Sequence, residues 1–137
     1  MSQFVKKEWG CENWLVNEPE YCAKELFVKA GKQCSLHYHP IKKETFRVYT
    51  GDVWLQYFPI TVEDPLGVIG VIVQTVHGEQ YHILPGVRHR FGATSDAVIL
   101  EVSTHHDDAD VVRLEPSGDL NLDAWDINDA HLRDFGV

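Results

Sequence analysis

The stretch that most restricts this chain runs from Gly31 to Gly51: Gly-Lys-Gln-Cys-Ser-Leu-His-Tyr-His-Pro-Ile-Lys-Lys-Glu-Thr-Phe-Arg-Val-Tyr-Thr-Gly. His37 and His39 stand one residue apart, and Glu44 follows after a short gap. Gln33 to His39 has no helical apolar pattern and reads as a strand, whose alternate side chains share a face. Both imidazoles therefore point the same way, close enough for one ion. Glu44-Thr-Phe-Arg-Val-Tyr-Thr is aromatic and β-branched, bounded by Pro40 and by Gly51-Asp52. It reads as the next strand, with Glu44 near its start on the same patch. Much later, Leu84-Pro85-Gly86-Val87-Arg88-His89 forms a turn that delivers a third histidine. Imidazole nitrogens and a carboxylate oxygen are ligands for a divalent first-row transition metal. His37, His39, Glu44 and His89 are thus expected to hold one such ion, and Mn, Fe, Zn, Co and Ni all suit a mixed N/O set. The alternative is that these histidines are ordinary hydrogen-bonded groups in a strand-rich domain.

With 137 residues, 44% of them apolar, the chain suits one domain with a real core. Its formal charge of −9 argues against nucleic acid as a partner, because no basic stripe exists to neutralise phosphates. A few local cations can still bind an anionic small molecule. Cys11, Cys22 and Cys34 form an odd set without CxxC or zinc-ribbon spacing, which fits reduced thiols in a cytosolic protein. The first residues carry no apolar signal core, and no stretch approaches a membrane span. The expectation is a soluble cytoplasmic protein without a membrane partner.

Strand patterns recur along the chain. Trp9 to Asn17 suits an early strand in which Trp9 and Trp14 are core plugs. Tyr21 to Lys29 suits a second, where Lys24 shares a face with Leu26 and Val28. A lysine there either snorkels outward or is held inside for a purpose. Val53 to Phe58 follows. Val68 to His77 is nearly all apolar or β-branched, as in a strand buried on both faces or packed in an interface. Gln80 to Leu84, then Arg90-Phe91 and Ala97 to Ser103, complete the pattern of an antiparallel β-sandwich or jelly-roll barrel. Glu101 interrupts an apolar strand, as a candidate base or as an exposed face residue. His105-His106-Asp107-Asp108 reads as a solvated turn, since neighbours on an extended chain point apart. The domain is expected over residues 1–115, with an acidic tail over 116–137. In that tail Asp119 or Asn121 caps a short helix holding Leu122, Trp125, Ile127 and Leu132. Trp125 suggests that the tail docks on the barrel or on a partner subunit. The apolar run Val68–Val76 and this tail point to a homodimer.

Gly31-x5-His37-x-His39-x4-Glu44-x6-Gly51 resembles the first cupin motif at every position. Pro85-Gly86-x2-His89, with Gly78 as leading glycine, resembles the first part of the second, whose trailing asparagine is absent here. The resemblance implies the cupin jelly-roll barrel. More narrowly, Lys7-x-Trp9-Gly10-x-Glu12-x-Trp14 and Tyr21-Cys22-Ala23-Lys24 resemble the opening of short sugar-isomerase-type cupins. These include relatives of D-lyxose isomerase and the cupin module of type II mannose-6-phosphate isomerases. Val87-Arg88-His89-Arg90, Glu101-Val-Ser-Thr104 and Asp110-Val-Val-Arg113-Leu-Glu115 extend the likeness, which covers residues 7 to about 115. It implies aldose–ketose interconversion of a sugar or sugar phosphate, with a proton carried between carbons 1 and 2 through an enediol. It also implies that Lys24 donates to a sugar oxygen and that Arg113 binds substrate oxygens, with Glu101 as candidate base. Two rivals share the ligand set: an iron-dependent dioxygenase, and a non-catalytic metal- or sugar-binding module.

Overall fold

The computed structural model describes residues 3–128. Its strands are β1 (Gln3–Lys7), β2 (Gly10–Asn17), β3 (Cys22–Val28), β4 (Lys32–Gln33), β5 (Leu36–Tyr38), β6 (Glu44–Thr50) and β7 (Val53–Tyr57). After these come β8 (Val71–Gln74), β9 (Gln80–Ile83), β10 (His89–Ala93), β11 (Ala97–Ser103), β12 (Val112–Glu115) and β13 (Gly118–Asp119). One antiparallel sheet runs β1-β2-β3-β11-β6-β9. The other is centred on β10, with β7 and then β8 on one side. On its other side β4 and β5 lie end to end, flanked in turn by β13 and β12. The expected antiparallel sandwich is the observed fold.

Alternation explains how the sheets face each other. In β3 Cys22, Lys24, Leu26 and Val28 are buried while Ala23, Glu25 and Phe27 are half-buried on the outer side. Leu26, Ile99 and Val48 align as one buried row across β3, β11 and β6. From the other sheet Phe91 meets Trp9 edge-on at 5.0 Å and Phe46 at 6.1 Å between ring centroids. Each such side chain contributes about 1.5–3 kcal/mol by leaving water. Trp9, Leu26, Phe46 and Phe91 of this core also line the cavity that His37 faces.

Several elements differ from expectation. The strand foreseen over Gln33–His39 is interrupted at Cys34-Ser35, where Cys34 Sγ accepts the Phe91 N–H at 3.2 Å. Within Val68–His77 only Val71–Gln74 is strand, and it is a half-buried edge rather than a strand covered on both faces. Among the described residues it pairs with β7 alone, and Ile69 and Val76 on either side of it are 53% and 58% exposed. Trp14 is half-buried instead of a core plug, because its ring lies under the Lys24 ammonium and its Nε1 donates to Glu12 at 2.9 Å. The expected C-terminal helix is a single 3-10 turn, Leu122–Ala124, and Asn121 makes no side-chain cap. Helix growth from Asp119 is blocked because Asp119 already pairs with Lys32 in β13. Leu132 lies outside the described residues. Trp125 is buried on the barrel, donating to Gln33 Oε1 at 2.9 Å with the Arg90 guanidinium 4.9 Å from its ring. The three cysteines are free, and among the described residues no helix is long and apolar enough to cross a membrane.

Candidate metal centre

Local geometry brings the histidines together. His37 lies within β5 and His39 just beyond its end, so alternation puts both rings on one side. His89 opens β10 directly opposite His37. It is delivered by a turn in which the Val87 N–H donates to the Leu84 carbonyl at 3.1 Å, with Pro85 and Gly86 between. Gly86 has φ 82°, the left-handed conformation that a type II turn requires at its third residue. The Gly86 N–H also donates to the His39 carbonyl at 2.9 Å, tying this turn to the end of β5.

The three rings lie 4.4, 4.9 and 5.6 Å apart between centroids, and one nitrogen of each is within 4.8 Å of the others. Nδ1 of His37 faces the Ser35 carbonyl at 2.7 Å, Nδ1 of His39 the Asp110 carbonyl at 2.7 Å, and Nδ1 of His89 the Val87 carbonyl at 2.9 Å. Carbonyl oxygens only accept, so each Nδ1 carries the proton and each Nε2 presents a lone pair. Glu44 is buried, with Oε1 2.6 Å from His89 Nε2 and 3.7 Å from His39 Nε2. Despite that closeness, Glu44 Oε1 and His89 Nε2 have no hydrogen bond among the described residues, while Glu44 Oε2 faces the Lys42 ammonium at 3.3 Å. A lone pair facing a carboxylate at 2.6 Å is unfavourable unless a cation serves both. These donors fit a divalent transition metal.

Electrostatics agree with neutral imidazoles at His37 and His39. Burial holds the His37 pKa well below the usual histidine range, and His89 and His39 add to the effect. Burial also takes His39 down to about 4, although the Glu44 charge pulls the other way. For Glu44 burial pushes upward, but positive charge at His89, Lys42 and His39 outweighs it and holds the carboxyl below its ordinary range; with the imidazoles neutral, Lys42 and a bound ion would supply that charge.

Above this cluster Trp14, Lys24, Glu101 and Phe46 form one cross-strand row. Lys24 is held inside, 1% exposed, opposite Glu101, which is also buried. Burial and the Glu44 charge raise the Glu101 pKa, with Lys42 opposing. Arg113 is exposed on β12, in register with His37. Lys24, His37, His39, Glu44, Glu101 and Arg113 all line one cavity of about 710 Å³, and His89 lies fully buried beneath it. Residues that sequence reasoning passed over complete the site. Lys42 Nζ lies 3.3 Å from both Glu44 Oε2 and Glu101 Oε2. Burial disfavours its charge, but Glu101 and Glu44 outweigh that and raise its pKa. Asp110 holds the turn that carries Lys42, accepting the N–H groups of Ile41 and Lys42 at 2.9 and 2.8 Å. In the supposed solvated turn His105, Asp107 and Asp108 are exposed, yet His106 is half-buried, 4.8 Å from the Trp14 ring. The interleaved carbonyl and carboxylate partners explain this inward turn, and no periodicity signals it.

No family model matches the chain. In structure it overlays capsular polysaccharide assembling protein CapF from Staphylococcus aureus with a TM-score of 0.69 at 20% identity, covering 84% of this chain and 32% of that one. Oxalate decarboxylase from Bacillus subtilis overlays with a TM-score of 0.69 at 15% identity, covering 82% and 30%. These overlays show the fold, the jelly-roll barrel that the cupin motifs of the sequence imply. In sequence it is similar to D-lyxose ketol-isomerases: 36% identical over 115 residues to that of Cohnella laeviribosi, and 33% over 120 residues to that of Thermofilum sp. (strain ex4484_79). The alignments cover 70% and 74% of this chain, which spans 63% and 66% of the two relatives.

Proposed function

We propose that this chain is a metal-dependent aldose–ketose isomerase that moves a proton between carbons 1 and 2 of a sugar or sugar phosphate through an enediol. The observation that carries this reading is the close approach of Glu44 Oε1 and His89 Nε2 without a hydrogen bond, set beside His37 and His39, directly below two buried ionisable residues, Glu101 and Lys24. A divalent ion held by His37, His39, Glu44 and His89 would supply Lewis acidity toward adjacent carbonyl and hydroxyl oxygens of the sugar. Glu101, whose pKa burial and the Glu44 charge raise, is the base that takes a proton from one carbon and returns it to the other. Lys24 directs an N–H toward a sugar oxygen, where charge develops in the enediol. Lys42 compensates the two carboxylates and keeps Glu44 available as a ligand. Arg113, near the mouth, binds the far oxygens of the substrate. The cavity volume lies within the range of small-molecule sites. The names of the two sequence relatives support a sugar as the substrate.

The test is to purify the protein, determine its bound metal, and incubate it with a panel of aldoses, ketoses and sugar phosphates under nitrogen. Conversion of D-lyxose or another aldose to its ketose is expected. A fully metallated protein that leaves every sugar unchanged while consuming oxygen with an organic substrate would replace this reading with a dioxygenase. Sugar affinity without turnover would replace it with a binding module.

A further inference from the structure

We propose that His106, fixed by Asp108, is the positioning residue that aims the Lys24 ammonium into the cavity. Its catalytic consequence rests on the isomerase reading above; the arrangement itself does not. Nδ1 of His106 lies 3.0 Å from Lys24 Nζ, and Nε2 lies 2.7 Å from Asp108 Oδ1. A carboxylate only accepts, so Nε2 carries the proton and Nδ1 is left to accept an N–H of Lys24. Two carboxylates also stand near that ammonium: Glu12, 3.8 Å away and beyond hydrogen-bond distance, and Glu101, opposite Lys24 on β11. With one N–H taken by His106 and the Trp14 ring 4.3 Å from Nζ, the remaining N–H bonds have the cavity to point into. His106 is itself clamped. Its backbone N–H donates to Asn17 Oδ1 at 2.9 Å, and Asn17 Nδ2 donates to its carbonyl at 3.1 Å.

The arrangement is sensitive to protonation. A His106 imidazolium has no lone pair for Lys24 and sets two cations 3.0 Å apart. Charged groups facing His106 are Asp108 on its own segment, Lys24 from β3 and Lys42 from the turn before β6. Glu12 of β2 and Glu101 of β11 face Lys24, and Lys7 of β1 faces Asp108. Burial keeps the His106 pKa below the usual histidine value, with the Asp108 hydrogen bond opposing and Lys24 reinforcing. The neutral form that serves Lys24 therefore prevails at neutral pH, and acid releases the ammonium.

Nitrogen-15 NMR of the imidazole in the full chain tests the pair without any substrate. The Nε2–H tautomer is expected, with the His106 titration moving to higher pH in Lys24→Met and to lower pH in Asp108→Asn. Asp108 is suited to this because its side chain is 93% exposed and its replacement leaves the core untouched. In turnover, the acid limb of kcat in Asp108→Asn should move down with the His106 titration, with metal content measured at each pH. His106→Phe keeps a ring against Trp14 but offers no acceptor, and should lose on the order of 10²-fold in kcat at unchanged metal content. His106→Asn, which can place an oxygen near the Nδ1 position, should recover part of that loss. An Nδ1–H tautomer, a titration indifferent to both substitutions, or full turnover in His106→Phe would overturn the proposal. If no sugar is turned over, the isomerase reading fails while the NMR result still decides the His106–Lys24 pair.

Discussion

Lys42 stands between Glu44 and Glu101 at 3.3 Å from each, so one buried cation serves two buried carboxylates. Lys42→Met strands both charges out of water and is expected to destabilise the metal-free protein by about 3–5 kcal/mol, read as a lowered urea midpoint. An unchanged midpoint would mean that the carboxylates find other partners. Lys24→Met differs in kind. It should retain bound metal while kcat falls about 10²–10⁴-fold, measured by metal analysis and sugar turnover on the same preparation. A third expectation concerns Asp52, which accepts hydrogen bonds from Gln74, at 2.6 Å, and from Thr94. These bonds hold its carboxyl below the ordinary range. A depressed folded value stabilises the protein above the unfolded value of about 3.9 and is lost as pH falls through the folded one. Near the surface this is worth under about 1 kcal/mol. The stability gap between wild type and Asp52→Asn should therefore be present at pH 7 and shrink below about pH 4.

At the scale of elements, the turn before β10 carries the most consequence. Gly86→Ala places a Cβ on a residue at φ 82°, costing about 1–2 kcal/mol of strain. Since the same turn sets His89 and bonds to the His39 carbonyl, metal affinity should weaken along with Tm. Calorimetry showing an unaltered metal Kd would separate the turn from the site. This turn also explains what was legible beforehand. His37, His39, Glu44 and His89 are placed by strand alternation and a Pro-Gly turn, both written in adjacent residues. Lys42 and His106 are placed by partners far along the chain: Lys42 meets Glu101 across 59 residues, and His106 meets Lys24 across 82. Lys42-Lys43 alone looks like a solvated pair, and nothing nearby tells that Asp110 will turn it inward. For Lys24 the sequence left inside and outside open, because its apolar neighbours suit both. The two readings of the Val68–His77 run have the same root, since an apolar run does not say whether its strand is covered on both faces or lies at an edge.

At the scale of the molecule, β8 pairs only with β7 among the described residues, and Ile69 and Val76 beside it are more than half exposed. Backbone from the tail covers a little of this edge, with the Gly70 N–H donating to the Ile127 carbonyl at 2.6 Å. An apolar edge left open invites pairing, and a homodimer is the expected state. Light scattering at micromolar concentration should report twice the chain mass; a monomer would refute it. The whole account turns on one buried point where three imidazoles and a carboxylate meet. The measurement that tests it most directly is a calorimetric titration of the stripped protein with Mn, Co or Zn ions, run beside His89→Ala and Glu44→Gln. One ion per chain is expected for the wild type, with affinity lost in His89→Ala and weakened in Glu44→Gln. A wild type that binds no ion, or variants that bind as the wild type does, would contradict it.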